Sequence, residues 1–236
     1  MLTHKITKWL AVLGICMVAF HCQAQHANSG YGWFEQGVKE YAQTVPDFRA
    51  QTKDISAMAP EVLFGYAWRL FDQGEKEKSV FVYYLGQLRG RILLSARKSA
   101  TAISNEYFEN ASRQAGTVII GKQVYLSQMT RHDLYQRNIF ASTALGGVIN
   151  NWAGANPDMW SKQMQAALDY ENAHPFTPER VRPKEDLLPN RQVQDVVQKQ
   201  KQGLTQLIQY VNANKEQILQ ERAKREAQIR ELQRKM

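Results

Sequence analysis

Cysteine and histidine are scarce in this chain, and each scarcity removes chemistry. Only Cys16 and Cys22 occur among 236 residues, and both precede position 25. The rest of the chain therefore offers no disulfide framework, no thiolate metal site and no cysteine nucleophile. Three histidines follow, His26, His132 and His174, far apart and with no second ligand three or four residues on, so no metal-binding pattern forms. No serine or threonine sits in a G-x-S-x-G context, and no phosphate-cradling glycine loop is present. Past the first 25 residues, no run approaches the roughly 18 apolar residues of a membrane-spanning helix. The sequence thus assigns no catalytic residue, no metal and no cofactor, and it does not read as an integral membrane protein.

The opening stretch, MLTHKITKWLAVLGICMVAFHCQAQ, has the three parts of a secretory signal peptide. Lys5 and Lys8 precede a twelve-residue apolar run from Trp9 to Phe20, and Cys22 and Ala24 place small residues before a cut at Gln25. A leader over residues 1–24 predicts export. The alternative of a lipid anchor at Cys22 places bulky Phe20 and His21 where such a signal carries small residues. Removal of the leader takes away both cysteines and leaves 28 basic against 22 acidic side chains. A cysteine-free exported chain of this kind fits a bacterial periplasm.

About 212 residues remain, enough to bury a core. Four of the seven prolines, Pro175, Pro178, Pro183 and Pro189, fall in HPFTPERVRPKEDLLP, which predicts an extended connector at 175–190. It divides a body over 25–174 from a C-terminal helix over 191–236. Within the body the periodicity is helical. GWFEQGVKEYAQTV carries Trp33, Phe34, Val38, Tyr41 and Ala42 on one face and stops before Pro46. APEVLFGYAWRLFDQG starts on Pro60 and ends at Gly74. TRHDLYQRNIFASTALGGVINNWAG opens with Thr130 and Asp133 in a variant capping box. Asn156 and Pro157 then start a helix whose stripe runs Trp160, Met164, Ala167, Leu168 and Glu171. Residues 101–129 fit strand, loop or broken helix. The expected fold is all-α, an irregular array of packed helical hairpins with a long C-terminal helix.

The most apolar stretch after the leader is SVFVYYLGQLRGRILLSA, residues 79–96, and it holds two glycines and two arginines. A mid-helix glycine costs up to about 1 kcal/mol against alanine, so Gly86 and Gly90 call for close helix approach. Leu63, Tyr66, Ala67, Leu70, Ser79, Tyr83 and Gly86 supply the sequence of large and small side chains that resembles one tetratricopeptide-like (or Sel-one-like) helical hairpin over residues 61–93. Arg91 stands where that pattern closes on proline, and no second copy follows about 34 residues on. On the same helix Val80, Tyr84, Gln87 and Arg91 form a stripe with Tyr83 beside it. Two readings apply to it. Either Gln87 and Arg91 bond backbone carbonyls or a carboxylate such as Glu106 or Asp133, or Tyr83, Tyr84, Gln87 and Arg91 line a pocket for an anionic or amide-bearing ligand. The pair Glu106 and Glu109 reads as a solvated face, and His132-Asp133 lacks a nucleophile to serve. Gly146-Gly147 implies tight packing, and Asn150-Asn151 beside Trp152 reads as a structural helix end.

The tail has a stripe of Val193, Val196, Val197, Leu204, Leu207, Ile208 and Val211 that should dock on the body. Beyond Asn214 the stripe thins, and Glu221/Arg225, Glu226/Arg230 and Glu231/Lys235 offer acid-first pairs four residues apart. Acids interleave with the bases and no aromatics stack nearby, so nucleic acid is not the partner these charges suit. Two functional classes follow. One is an exported, non-enzymatic helical protein that binds another protein, a class that includes immunity-type inhibitors of periplasm-directed toxins. The other is a cell-envelope small-ligand binder or enzyme built on the Tyr83, Tyr84, Gln87 and Arg91 group.

Overall fold

The computed structural model describes residues 31–44, 55–98, 134–181 and 184–235. The expected leader, residues 101–129, the capping box at Thr130 and Asp133, and His132, Glu106 and Glu109 lie outside the described residues. Within them the chain is all-α, with seven α-helices and no strand. These are α1 (Gly32–Thr44), α2 (Pro60–Asp72), α3 (Lys76–Ser95), α4 (Leu134–Ala153), α5 (Pro157–Ala173), α6 (Asn190–Ala213) and α7 (Lys215–Lys235). No helix among the described residues is long and apolar enough to cross a membrane.

The α2–α3 hairpin turns where its sequence dictates. Gly74 has φ of 87°, a left-handed conformation that costs glycine nothing. The amide of Glu75 bonds the carbonyl of Leu70 at 2.9 Å, and that of Gly74 bonds Phe71 at 3.2 Å. This is a Schellman closure, which satisfies carbonyls that the helix end would otherwise leave open. The two helices then run in close contact. Ser79 donates its hydroxyl to the Ala67 carbonyl at 2.7 Å. A Cβ on Gly86 would lie 3.0 Å from the Cβ of Leu63 and 3.3 Å from the Phe64 ring. That residue is small because α2 occupies the space.

Thirteen of the twenty residues of α3 are buried, so neighbours cover most of its surface. It packs against α2, α4, α5 and α6 and forms the axis of the fold. Helix α5 begins as its sequence implies, with the Asn156 side chain accepting the Met159 amide at 3.1 Å and Pro157 in the first turn. Its buried stripe contains Trp160, Met164, Ala167, Leu168 and, without exposure, Glu171.

Two parts of the C-terminal region differ from the expected layout. Among its described residues the proline-rich segment up to Pro189 holds no α-helix, yet it is folded onto the body rather than extended away from it. Phe176, Pro178 and Leu187 are buried, single 3₁₀ turns form at Pro178–Arg180 and Lys184–Asp186, and Leu187 makes an antiparallel bridge with Arg97. Apolar side chains spaced between the prolines gain more from burial than an open spacer would offer them. The tail is two helices, not one. Asn214 closes α6 on itself, its backbone amide bonding the Tyr210 carbonyl at 3.0 Å and its side-chain amide the same oxygen at 2.7 Å. Helix α6 docks through Val193, Leu204, Ile208 and Val211, whereas α7 buries none of its described side chains. In α7 two of the acids take other partners: Glu226 turns back to Arg222 at 3.0 Å and Glu221 pairs with Lys224 at 3.4 Å.

Candidate functional site

The polar groups of α3 divide between two sides of that helix, and each side faces a different neighbour. Toward α4 and the start of α5 stand Tyr83, Tyr84, Gln87 and Arg91. The Tyr84 hydroxyl donates to Asn150 Oδ1 and accepts the Trp160 indole N–H, both at 2.8 Å. Tyr83 donates to the Ser142 carbonyl at 2.9 Å and accepts from Gln87 Nε2 at 2.8 Å. A Cβ at position 146 would collide with the Tyr83 hydroxyl, so Gly146 is the residue that lets this tyrosine cross α4. Both tyrosines are 1% exposed. Burial pushes the Tyr83 phenol up to about 12 and holds Tyr84 well above its ordinary value.

Gln87 and Arg91 are half-buried rather than buried, and Gln87 lies against half-buried Ser142. Burial lowers the Arg91 pKa, and the Tyr83 and Tyr84 hydroxyls oppose that shift. The four residues singled out in the sequence are thus brought together along one seam. Tyr83 and Tyr84 are its interior, bonded on the inside of the fold, and Gln87 and Arg91 form its outer lip. Neither bond made by Gln87 goes to a carboxylate; its partners are Tyr83 and, at 3.5 Å, Ser142 Oγ.

Toward α5 and the connector stands Arg89, without exposure. Its Nε donates to Glu171 Oε2 at 2.7 Å, Nη1 to the Ile55 carbonyl at 2.5 Å and Nη2 to the His174 carbonyl at 2.9 Å. The other carboxylate oxygen of Glu171 accepts the Phe176 amide at 2.7 Å, and the guanidinium lies 5.6 Å from the Phe176 ring centre. One ion pair therefore joins α3, α5, the 3₁₀ turn at Ile55 and the first residues of the connector. A buried pair is tolerable only when its remaining donors and acceptors find partners, and here three backbone groups supply them. Around it Tyr170 donates to Glu35 at 3.2 Å, packs edge-on to Phe34 and Phe81, and stacks on His174 at 4.5 Å between ring centres.

Helical periodicity did not distinguish this pair. A trace of it exists, since Arg89 adjoins the Phe81, Leu85 and Ile92 face and Glu171 closes the apolar stripe of α5. One base and one acid embedded in two apolar faces need each other, but their separation of 82 residues is set by tertiary packing alone. The asparagines at the end of α4 are also structural. Asn150 belongs to the tyrosine network, and Asn151 accepts Arg222 of α7 at its backbone carbonyl. Among the described residues no three His, Asp or Glu side chains converge on a point where a metal could bind.

The arrangement defines an all-α body held by two buried polar networks on opposite sides of one central helix. Comparison with protein-family models, with characterised proteins and with solved structures finds no match to this chain.

Proposed function

We propose that this chain is an exported, periplasmic, non-enzymatic helical protein that acts by binding another protein. The observation that carries the reading is how the central polar residues are used. Arg89, Glu171, Tyr83 and Tyr84 make hydrogen bonds that hold helices to one another, which gives rigidity rather than chemistry. A rigid helical body with a charged surface helix suits recognition by surface complementarity. Immunity-type neutralisation of a periplasm-directed toxin is one role within this class. The test is affinity purification of the tagged chain from periplasmic extract with the neighbouring gene products co-expressed. A stoichiometric partner protein is expected, with Gln25 as the first residue of the recovered chain. Recovery of the chain alone, or with its leader intact in the cytoplasm, contradicts the reading.

A second reading rests on the outer lip of the seam. Gln87 and Arg91 are half-buried one helical turn apart, with Ser142 against Gln87, and a guanidinium and an amide on one helix face suit a small carboxylate or amide ligand. A thermal-shift series with small carboxylates and amides separates the two. Stabilisation that disappears in Arg91→Met supports the ligand reading, and no stabilisation by any of them removes it.

A further inference from the structure

We infer that α7 is a hinged strap, held against the α4–α5 turn by two polar tethers and able to lift as a helix without disturbing the body. Three observations carry this. First, the hinge is already built, because Asn214 (φ −122°, ψ 26°) ends α6 with its own backbone and side-chain bonds to Tyr210. Helix α6 therefore needs nothing from α7 to keep its last turn. Second, no described side chain of α7 is buried: Ile218 touches the core half-buried, and Leu219 and Leu232 are 42% and 63% exposed. Apolar burial, the main force that fixes the other helices, contributes little here. Third, the tethers are ionic or charge-assisted; the first lies close to water, and the Arg222 side chain of the second is 11% exposed. Lys215 pairs with Asp158, side chains 38% and 76% exposed, and Arg222 donates to the Asn151 carbonyl at the C-terminal end of α4.

The second tether has a clear physical basis. The last carbonyls of a helix lack partners within it and carry the negative end of its dipole, so a guanidinium is the natural cap. Arg222 is held for that task by Glu226 one turn on. Beneath it lies Asn151, 2% exposed, whose side-chain nitrogen has no hydrogen-bond partner. Lifting the strap opens that amide and the carbonyl end of α4 to water or to another donor and acceptor. The strap itself stays helical when free, because Lys224–Glu221 and Arg222–Glu226 are pairs within it and it is 21 residues long. None of this depends on the proposed partner.

The experiment is a distance measurement between paired spin labels in the full chain with Cys16→Ser and Cys22→Ser. Labels at Gln228→Cys and Lys162→Cys report α7 against α5, and labels at Gln202→Cys and Lys162→Cys report α6 against α5. The expected result is two discrete distances for the first pair and one for the second. Because α7 is about 31 Å long, its two positions should differ by on the order of 10 Å or more. Arg222→Ala should raise the lifted population about two- to fivefold, and about 1 M salt should raise it less, by screening the exposed Lys215–Asp158 pair. A single short distance that ignores salt and Arg222→Ala overturns the proposal. So does a broad distribution for the first pair, which would mean that α7 unravels rather than swings.

Discussion

Helices α3 and α7 are nearly equal in length and opposite in every force that places them. Helix α3 opens on Lys76, Glu77 and Lys78 and carries two arginines and a glutamine within its apolar run, yet it is the most buried helix among the described residues. Helix α7 has charges throughout and stays at the surface. The difference teaches that burial here follows from partners supplied by other helices. Arg89 is buried because Glu171 and the carbonyls of Ile55 and His174 receive it. Arg222, its side chain 11% exposed, meets a single residue of another helix, Asn151, and a carboxylate of its own helix.

Breaking the Arg89 centre should therefore produce the largest effect. Arg89→Met leaves the Glu171 carboxylate buried and unpaired and should cost about 3–5 kcal/mol, read from the urea midpoint at unchanged slope. Arg89→Met with Glu171→Leu should recover much of that loss, since removing both partners of a buried pair costs far less than removing one. The tyrosine side of α3 should respond less. Tyr84→Phe strands Asn150 Oδ1 and the Trp160 N–H and should cost about 1–3 kcal/mol, and Gly146→Ala should cost a similar amount by driving a methyl into the Tyr83 hydroxyl.

An alkaline titration sharpens the same contrast. The unfolded Tyr83 phenol ionises near its ordinary value of about 10 and the folded one near about 12. The folded state thus keeps a proton that the unfolded state has lost, and stability falls as pH rises through that window. Unfolding near the upper end should coincide with the tyrosinate absorbance of Tyr83 and Tyr84. The smallest effect belongs to α7. Lys215→Ala should change global stability by no more than about 1 kcal/mol, and by less in high salt, as expected of an exposed pair.

Much of this contrast was legible in the residues. Gly74, Pro60, Asn156 and Pro157 mark helix ends by local chemistry, and the structure places them there. The thinning of the apolar stripe after Asn214 separates α6 from α7 in kind, although not the break itself, which depends on a side-chain cap that asparagine makes in one context and not in another. The seam of Tyr83, Tyr84, Gln87 and Arg91 follows from helical spacing, because residues three and four apart share a face. The partners of that seam, Ser142, Asn150 and Trp160, sit on other helices and carry no local signal. The same holds for Arg89 and Glu171, and for the folded connector, where prolines exclude α-helix but do not say whether Phe176 and Leu187 find a core.

The most direct measurement is native-state hydrogen exchange along the chain. If α3 is the pinned axis and α7 a tethered strap, the amides of Val80–Ile92 exchange only through global unfolding, with one shared free energy, and those of Glu221–Glu231 exchange far faster. Equal protection of the two helices, or exchange of the α3 amides through local openings well below the global free energy, would contradict the account.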